Sequence, residues 1–243
     1  MEANVTRVAP KGPIESAPPP TLEALRLGAL GSVPLGVSVF AYGLVFGILA
    51  GQVDMSILES ILMSTLVFAG ASQFVVLDLW VDPLPVGAII LAALAVNLRH
   101  VLMGAALRPW LAGLSPFTAY GSLFFMVDES WALSMREVVR GKNNIAFLVG
   151  SGLVLFVAWN TATVVGRVLG EVVSDPAQYG LDFAFTAVFL AMLSGLWRGR
   201  GDLFPWGVAA LVAVLADQFL PGKWYILIGA LAGSLTVVVR RGN

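Results

Sequence analysis

"ILMSTLVFAGASQFVVLDLW", residues 61–80, is apolar at both ends and something else in the middle. With the preceding "ILES" it predicts a span over 57–80, long enough to cross roughly 30 Å of hydrocarbon, which takes about 20 residues of helix. The run is too long and too uniformly apolar for the in/out alternation of a membrane barrel strand, so a helix is predicted. Inside it, "FAGASQF" at 68–74 gives up bulk at Ala69, Gly70, Ala71 and Ser72 and then adds the amide of Gln73. Close helix packing accounts for small residues in a membrane. It does not account for the amide. If the helix breaks at Gly70, the free backbone N–H groups of the following half-helix would face a carboxylate. Ser72 and Gln73 would then supply further hydrogen bonds to a small polar solute.

Composition places the rest of the chain in the same solvent. Of 243 residues, 58% are hydrophobic and 12% are charged, and the mean hydropathy is +0.87. Soluble domains carry about 25% charged residues, so lipid is expected to solvate most of the surface. A net charge of −1 argues against nucleic acid, which needs a basic face. With no cysteine and a single histidine, His100, the chain offers no disulfide, no thiolate and no multi-imidazole metal site. No cofactor is expected. An intramembrane enzyme would want a nucleophile–base pair or a metal cluster, and little here could build either.

Residues 1–21 hold five of the thirteen prolines and lack the basic start and apolar core of a signal peptide, so they read as a disordered tail. Residues 22–241 then read as one transmembrane domain. Further spans are predicted at 25–50, 84–111, 116–135, 145–169, 181–197, 203–220 and 224–239. Basic residues set orientation. Arg7, Lys11 and Arg26 precede the first span, and Arg136, Arg140 and Lys142 follow the fourth. Arg198 and Arg200 follow the sixth, and Arg240 and Arg241 the eighth. Eight crossings with a cytoplasmic N-terminus put nearly every basic cluster inside. Seven also fit, because 116–135 is the least apolar stretch and 84–111 is long enough to break.

The chain echoes itself. "GLVFG" at 43–47 resembles "GRVLG" at 166–170, "TLVFAG" at 65–70 resembles "TAVFLA" at 186–191, and "DPLPVG" at 82–87 resembles "DLFPWG" at 202–207. Three matches in one order suggest a duplicated unit, about 25–111 and 145–239. The repeats would be parallel with eight spans and inverted with seven. The Gly43, Gly47, Gly51 series at four-residue spacing reads as helix packing.

Charges at the bilayer centre cost about 2.5–3.5 kcal/mol on insertion scales, so they usually line a cavity. "NLRH" at 97–100 interrupts an apolar run with Asn97, Arg99 and His100, and "ADQFLPGK" at 216–223 interrupts the second half with Asp217. Paired breaks of this kind point to a transporter's solute site and pathway; the other reading is a membrane edge with Arg99 snorkelling to phosphates. In "VDES" at 127–130, Asp128 and Glu129 lie about 100° apart on a helix. Either one carboxylate is buried, with a raised pKa suited to proton coupling, or both are interfacial. Glu59 and Asn160 read equally well as helix glue.

The blocks "MSTLVFAGASQF" (63–74), "NLRHVLMGAAL" (97–107), "VDE" (127–129) and "GLDFAFTAVFLAML" (180–193) resemble the AzlC family, the large subunits of bacterial branched-chain amino-acid exporters. The resemblance runs from residue 25 to about 238. It implies a proton-driven secondary carrier in the bacterial cytoplasmic membrane that exports leucine, isoleucine and valine. It also implies a small hydrophobic AzlD-type membrane subunit as partner. No G-x-x-x-x-G-K-[ST] motif for ATP hydrolysis is present. The expectation is therefore an all-α polytopic protein of seven or eight helices, some broken near the midplane. Gly70, Ala71, Ser72, Gln73 and Asn97 would hold the solute, and Arg99, His100, Asp128, Glu129 and Asp217 would line the pathway or couple protons. The competing readings are a structural or regulatory subunit, or a carrier for another small amphipathic solute.

Overall fold

The computed structural model describes residues 19–142, 144–172, 190, 194, 197, 199–219 and 224–241. Most of the proline-rich tail, most of the predicted sixth span at 181–197 and of the "TAVFLA" partner of the repeat, and all of residues 220–223 lie outside these described residues. The chain is all-α and integral-membrane-like. Among the described residues, four helices are long and apolar enough to cross a bilayer.

The helices are α1 (Leu22–Gln52), α2 (Ile57–Leu66), α3 (Gly70–Asp78), α4 (Val86–Ala106), α5 (Arg108–Leu111), α6 (Pro116–Leu123), α7 (Asp128–Val139), α8 (Ile145–Val172), α9 (Leu203–Phe219) and α10 (Trp224–Arg241). Two predicted spans are each split near the middle, and a third, 84–111, breaks near its end at Leu107 into α4 and α5. The 57–80 run breaks after Val67 into α2 and α3, and the 116–135 run breaks at 124–127 into α6 and α7. Ten-residue α2 and nine-residue α3 are each roughly 15 Å long at 1.5 Å per residue, about half a hydrocarbon core. By contrast, α4 runs unbroken through 97–100. "NLRH" thus interrupts the hydropathy of its span but not the backbone, because all four residues keep helical hydrogen-bonding partners within one long segment.

The chain divides into two compact units, one holding 1–33 and 100–154, the other 34–99 and 155–243. In the first, Met103, Leu107, Trp110, Met126, Ile145 and Leu148 form the core. The indole N–H of Trp131 donates to the Met103 carbonyl at 3.1 Å and that of Trp110 to the Lys142 carbonyl at 3.2 Å, so the buried Trp110 ring and the half-buried Trp131 ring both have their polar tips satisfied. Gly28 lies against the Phe147 carbonyl and Gly150 against that of Leu25.

In the second unit α1 and α8 run parallel. Gly43 abuts Ala162, Gly47 abuts Thr163 and Gly166, and Gly170 abuts Ile48, so residue numbers rise together along both helices. A Cβ at Gly47 or Gly166 would collide with the Thr163 or Leu44 carbonyl respectively, so only glycine permits this approach. The pair α9–α10 is antiparallel, with Gly229 against Ala213 and Gly233 against Ala209. Most of the apolar surface of α4 and α9 is left uncovered by protein. That is the pattern of helices solvated by lipid.

Candidate functional site

Among the described residues of the second unit, the buried polar side chains gather around the break between α2 and α3. Phe68 takes a left-handed conformation at φ 42°, a strained choice for an aromatic residue that costs about 1–3 kcal/mol. It persists because Phe68 is buried and its ring packs edge-on against Phe156 at 5.0 Å. The turn ends at Ala69 (φ −138°, ψ 83°), which caps α3 without any side-chain hydrogen bond. A helix supplies no carbonyls to its first N–H groups, here those of Gly70, Ala71 and Ser72. The first turn of α3 also carries no acidic residue. This end of the helix therefore presents partial positive charge inside the protein.

Around it the side chains form a hydrogen-bonded series. Ser72 Oγ donates to the Ala69 carbonyl at 2.9 Å and accepts from Asn97 Nδ2 at 3.2 Å. Gln73 is completely buried; its Nε2 donates to Ser64 Oγ at 3.1 Å, and Ser64 Oγ meets Thr163 Oγ1 at 3.0 Å. Gln73 Oε1 has no partner among the described residues. One turn away, Thr65 Oγ1 donates to Asn160 Oδ1 at 2.8 Å and Asn160 Nδ2 to the Phe156 carbonyl at 2.9 Å. Asn160 thus joins α8 to α2. Glu59 accepts from the Ser56 backbone at 2.8 Å and side chain at 2.6 Å, closing a capping box at the start of α2.

Three aromatic rings close the site. Phe46 and Phe74 meet at 5.8 Å, Trp159 stacks on Phe46 at 5.6 Å and stands edge-on to Phe74 at 6.3 Å. The six-membered ring of Trp159 covers Gly70, where an added Cβ would meet Cη2 at 3.1 Å. Sequence reasoning missed Trp159. Its one signal was "WNT" at 159–161, an indole beside an amide in the middle of an apolar run.

The structure thus brings together Gly70, Ala71, Ser72, Gln73 and Asn97. Arg99 is half-buried and is the last residue of the second unit's share of α4. Asp217 is exposed near the end of α9. His100 belongs to the first unit, as do Asp128 and Glu129, which are half-buried in the first turn of α7. There Val127 N–H donates to Ser130 Oγ at 2.9 Å, and Ser130 Oγ reaches the Phe125 carbonyl at 2.9 Å. At the other end of α7, Glu137 pairs with Arg140 at 2.7 Å and Lys142 at 3.2 Å. Burial pushes the Glu137 carboxyl up, but the hydrogen bonds and charges of Arg140 and Lys142 outweigh it and hold it below its ordinary value. Among the described residues no group of three or more His, Cys, Asp or Glu could hold a metal ion.

Comparison with known proteins places this arrangement. The chain is 28% identical over 230 residues to inner membrane protein YgaZ of Escherichia coli (strain K12), covering 92% of this chain and 93% of that one. It is 32% identical over 214 residues to an uncharacterized membrane protein of Archaeoglobus fulgidus, covering 86% and 92%. It is 24% identical over 208 residues to the branched-chain amino acid transport protein AzlC of Bacillus subtilis (strain 168), covering 82% and 81%. No solved structure matches. The family model described as AzlC protein matches residues 34–173, a stretch running from Pro34 in α1 to just past the end of α8 and containing both spans split near the middle, and on that match this multi-pass membrane protein belongs to the AzlC family.

Proposed function

We propose that this chain is the large subunit of a secondary carrier that exports branched-chain amino acids across the bacterial cytoplasmic membrane. The observation that carries the reading is the α2–α3 break, where an acid-free helix start, a buried amide oxygen with no partner among the described residues and three aromatic rings meet in one place. A zwitterion with an apolar side chain suits those features: its carboxylate suits the helix start, its ammonium suits Gln73 Oε1, and its side chain suits the rings. The name of the Bacillus subtilis relative, a branched-chain amino acid transport protein, supports the same solute class. The name of the Escherichia coli relative supports the inner membrane. The N-terminus lies in the cytoplasm, a small AzlD-type subunit completes the carrier, and Asp128 and Glu129 couple transport to protons.

The buried ladder Gln73–Ser64–Thr163 and Thr65–Asn160 favours a second reading, in which these side chains only glue helices together and the partner carries the solute. Reconstitution into vesicles separates the two. Leucine counterflow by this chain with its partner, reduced at least tenfold by Gln73→Ala with membrane insertion intact, is the result expected of the carrier. Unchanged counterflow in that variant would remove the site from the solute's path.

A further inference from the structure

Trp159 is neither in the predicted site nor explained by packing alone. Its side chain is 5% exposed, and its indole Nε1 has no hydrogen-bond partner among the described residues. Two indoles among the described residues, Trp110 and Trp131, give their N–H to a backbone carbonyl. That is the usual outcome for an indole inside a protein, because a buried donor left unsatisfied is costly. The ring of Trp159 is held in place by Phe46 and Phe74 and lies on Gly70, the first residue of α3. The orphaned acceptor Gln73 Oε1 belongs to the same first turns.

Two buried polar atoms of opposite kind are therefore left over, one donor and one acceptor, on residues that flank an uncapped helix start. A carboxylate takes the donor and the helix N–H groups, whereas an ammonium takes the acceptor. We infer that Trp159 is a solute-binding residue: its indole N–H donates to the carboxylate of an α-amino acid seated at the start of α3, and its ring forms one wall for the apolar side chain. This rests on the carrier reading above and adds to it a specific atom and a specific requirement, a free carboxylate.

The test uses the full-length chain in lipid nanodiscs, titrated with L-leucine and with leucinamide, which keeps the ammonium and the side chain but lacks the carboxylate. Two variants are compared with wild type: Trp159→Phe, and replacement of Trp159 by β-(3-benzothienyl)alanine, which keeps the bicyclic shape and removes the donor. Hydrogen bonds to charged groups are worth about 1.5–3 kcal/mol, so leucine's Kd should rise at least about tenfold in both variants. The weaker binding of leucinamide should not move in the benzothienyl variant, which keeps the ring wall. Equal losses for both ligands in that variant would make Trp159 a packing residue and overturn the inference. Undiminished leucine binding in the benzothienyl variant would overturn it while leaving the carrier reading in place. Wild type that binds no α-amino acid would overturn both.

Discussion

The two spans split near the middle make an instructive pair. Each stops after one short helix, turns within a few residues and starts another. The second helix of one, α7, opens with Asp128 and Glu129 and has Ser130 Oγ accepting from the Val127 N–H. It ends beside Arg140 and Lys142, which pair with Glu137. Its own side chains complement the helix dipole at both ends. The second helix of the other, α3, opens on Gly70, Ala71 and Ser72 with no acid and no side-chain cap, yet it is far more deeply buried. A buried positive helix end that no acid of its own first turn neutralises is suited to an anion brought from outside. The lesson is that a break alone does not mark a solute site. What distinguishes the two is whether the sequence has supplied its own countercharge.

The largest effect is expected from giving α3 the countercharge that α7 already has. In Ser72→Asp a carboxylate would stand in the first turn of α3, within reach of Asn97 Nδ2, which now donates to Ser72. The installed acid would take the place of the solute's carboxylate. Leucine efflux from loaded cells should fall by about two orders of magnitude at normal expression, since an occupied helix start and a nearby like charge each oppose binding. Ser72→Ala should cost much less. Efflux at the wild-type rate in Ser72→Asp would show that α3 does not meet an anion.

The converse change is smaller. In Asp128→Asn with Glu129→Gln, α7 loses both native countercharges, each worth about 0.3–1 kcal/mol at a helix N-terminus. If the pair also carries protons, net efflux driven by a pH gradient should fall about tenfold while leucine counterflow continues. Both activities unchanged in the double variant would remove these carboxylates from coupling.

Much of this contrast was readable from residue types. "FAGASQF" lost bulk and gained an amide where neither helps a lipid-facing helix, and α3 does begin at Gly70. The α6–α7 break went unread, although an acidic pair followed by Ser130 is a helix-start pattern; inside an apolar stretch those acids looked like a property of the membrane rather than of a helix end. "NLRH" misled in the opposite direction, since polar side chains leave helical backbone intact when half of each can face protein. Trp159 was illegible because an indole in a membrane segment is ordinary until its N–H is seen to lack a carbonyl. The parallel approach of α1 and α8 depends on which glycines face each other, and that follows from the three-dimensional pairing rather than from their spacing.

A milder probe of α7 targets the cap. Ser130 is buried, accepts from Val127 N–H and donates to the Phe125 carbonyl. Ser130→Ala removes both hydrogen bonds, and the loss should be about 1 kcal/mol, typical of a helix-start hydroxyl. A Tm lowered by a few degrees with leucine Kd unchanged is the expected result, because α7 in this comparison serves structure and coupling, not solute binding. A change in Kd would assign α7 to the binding site.

The smallest effect concerns the far end of α7. Glu137 is held below its ordinary value by Arg140 and Lys142 in spite of its burial, so folding favours the charged form. A group depressed in the folded state contributes stability that is complete above its unfolded value, about 4.3 for glutamate, and is lost as pH falls through the lower folded value. Wild type should therefore exceed Glu137→Gln in Tm near neutrality, and the gap should close once the pH drops below that folded value. Both cations are largely exposed, which limits the gap to about 1 kcal/mol or less. A gap that stays constant down to acid pH would mean that Glu137 acts by packing rather than by charge, and the electrostatic account of α7's C-terminal end would then fail while that of its N-terminal end survived.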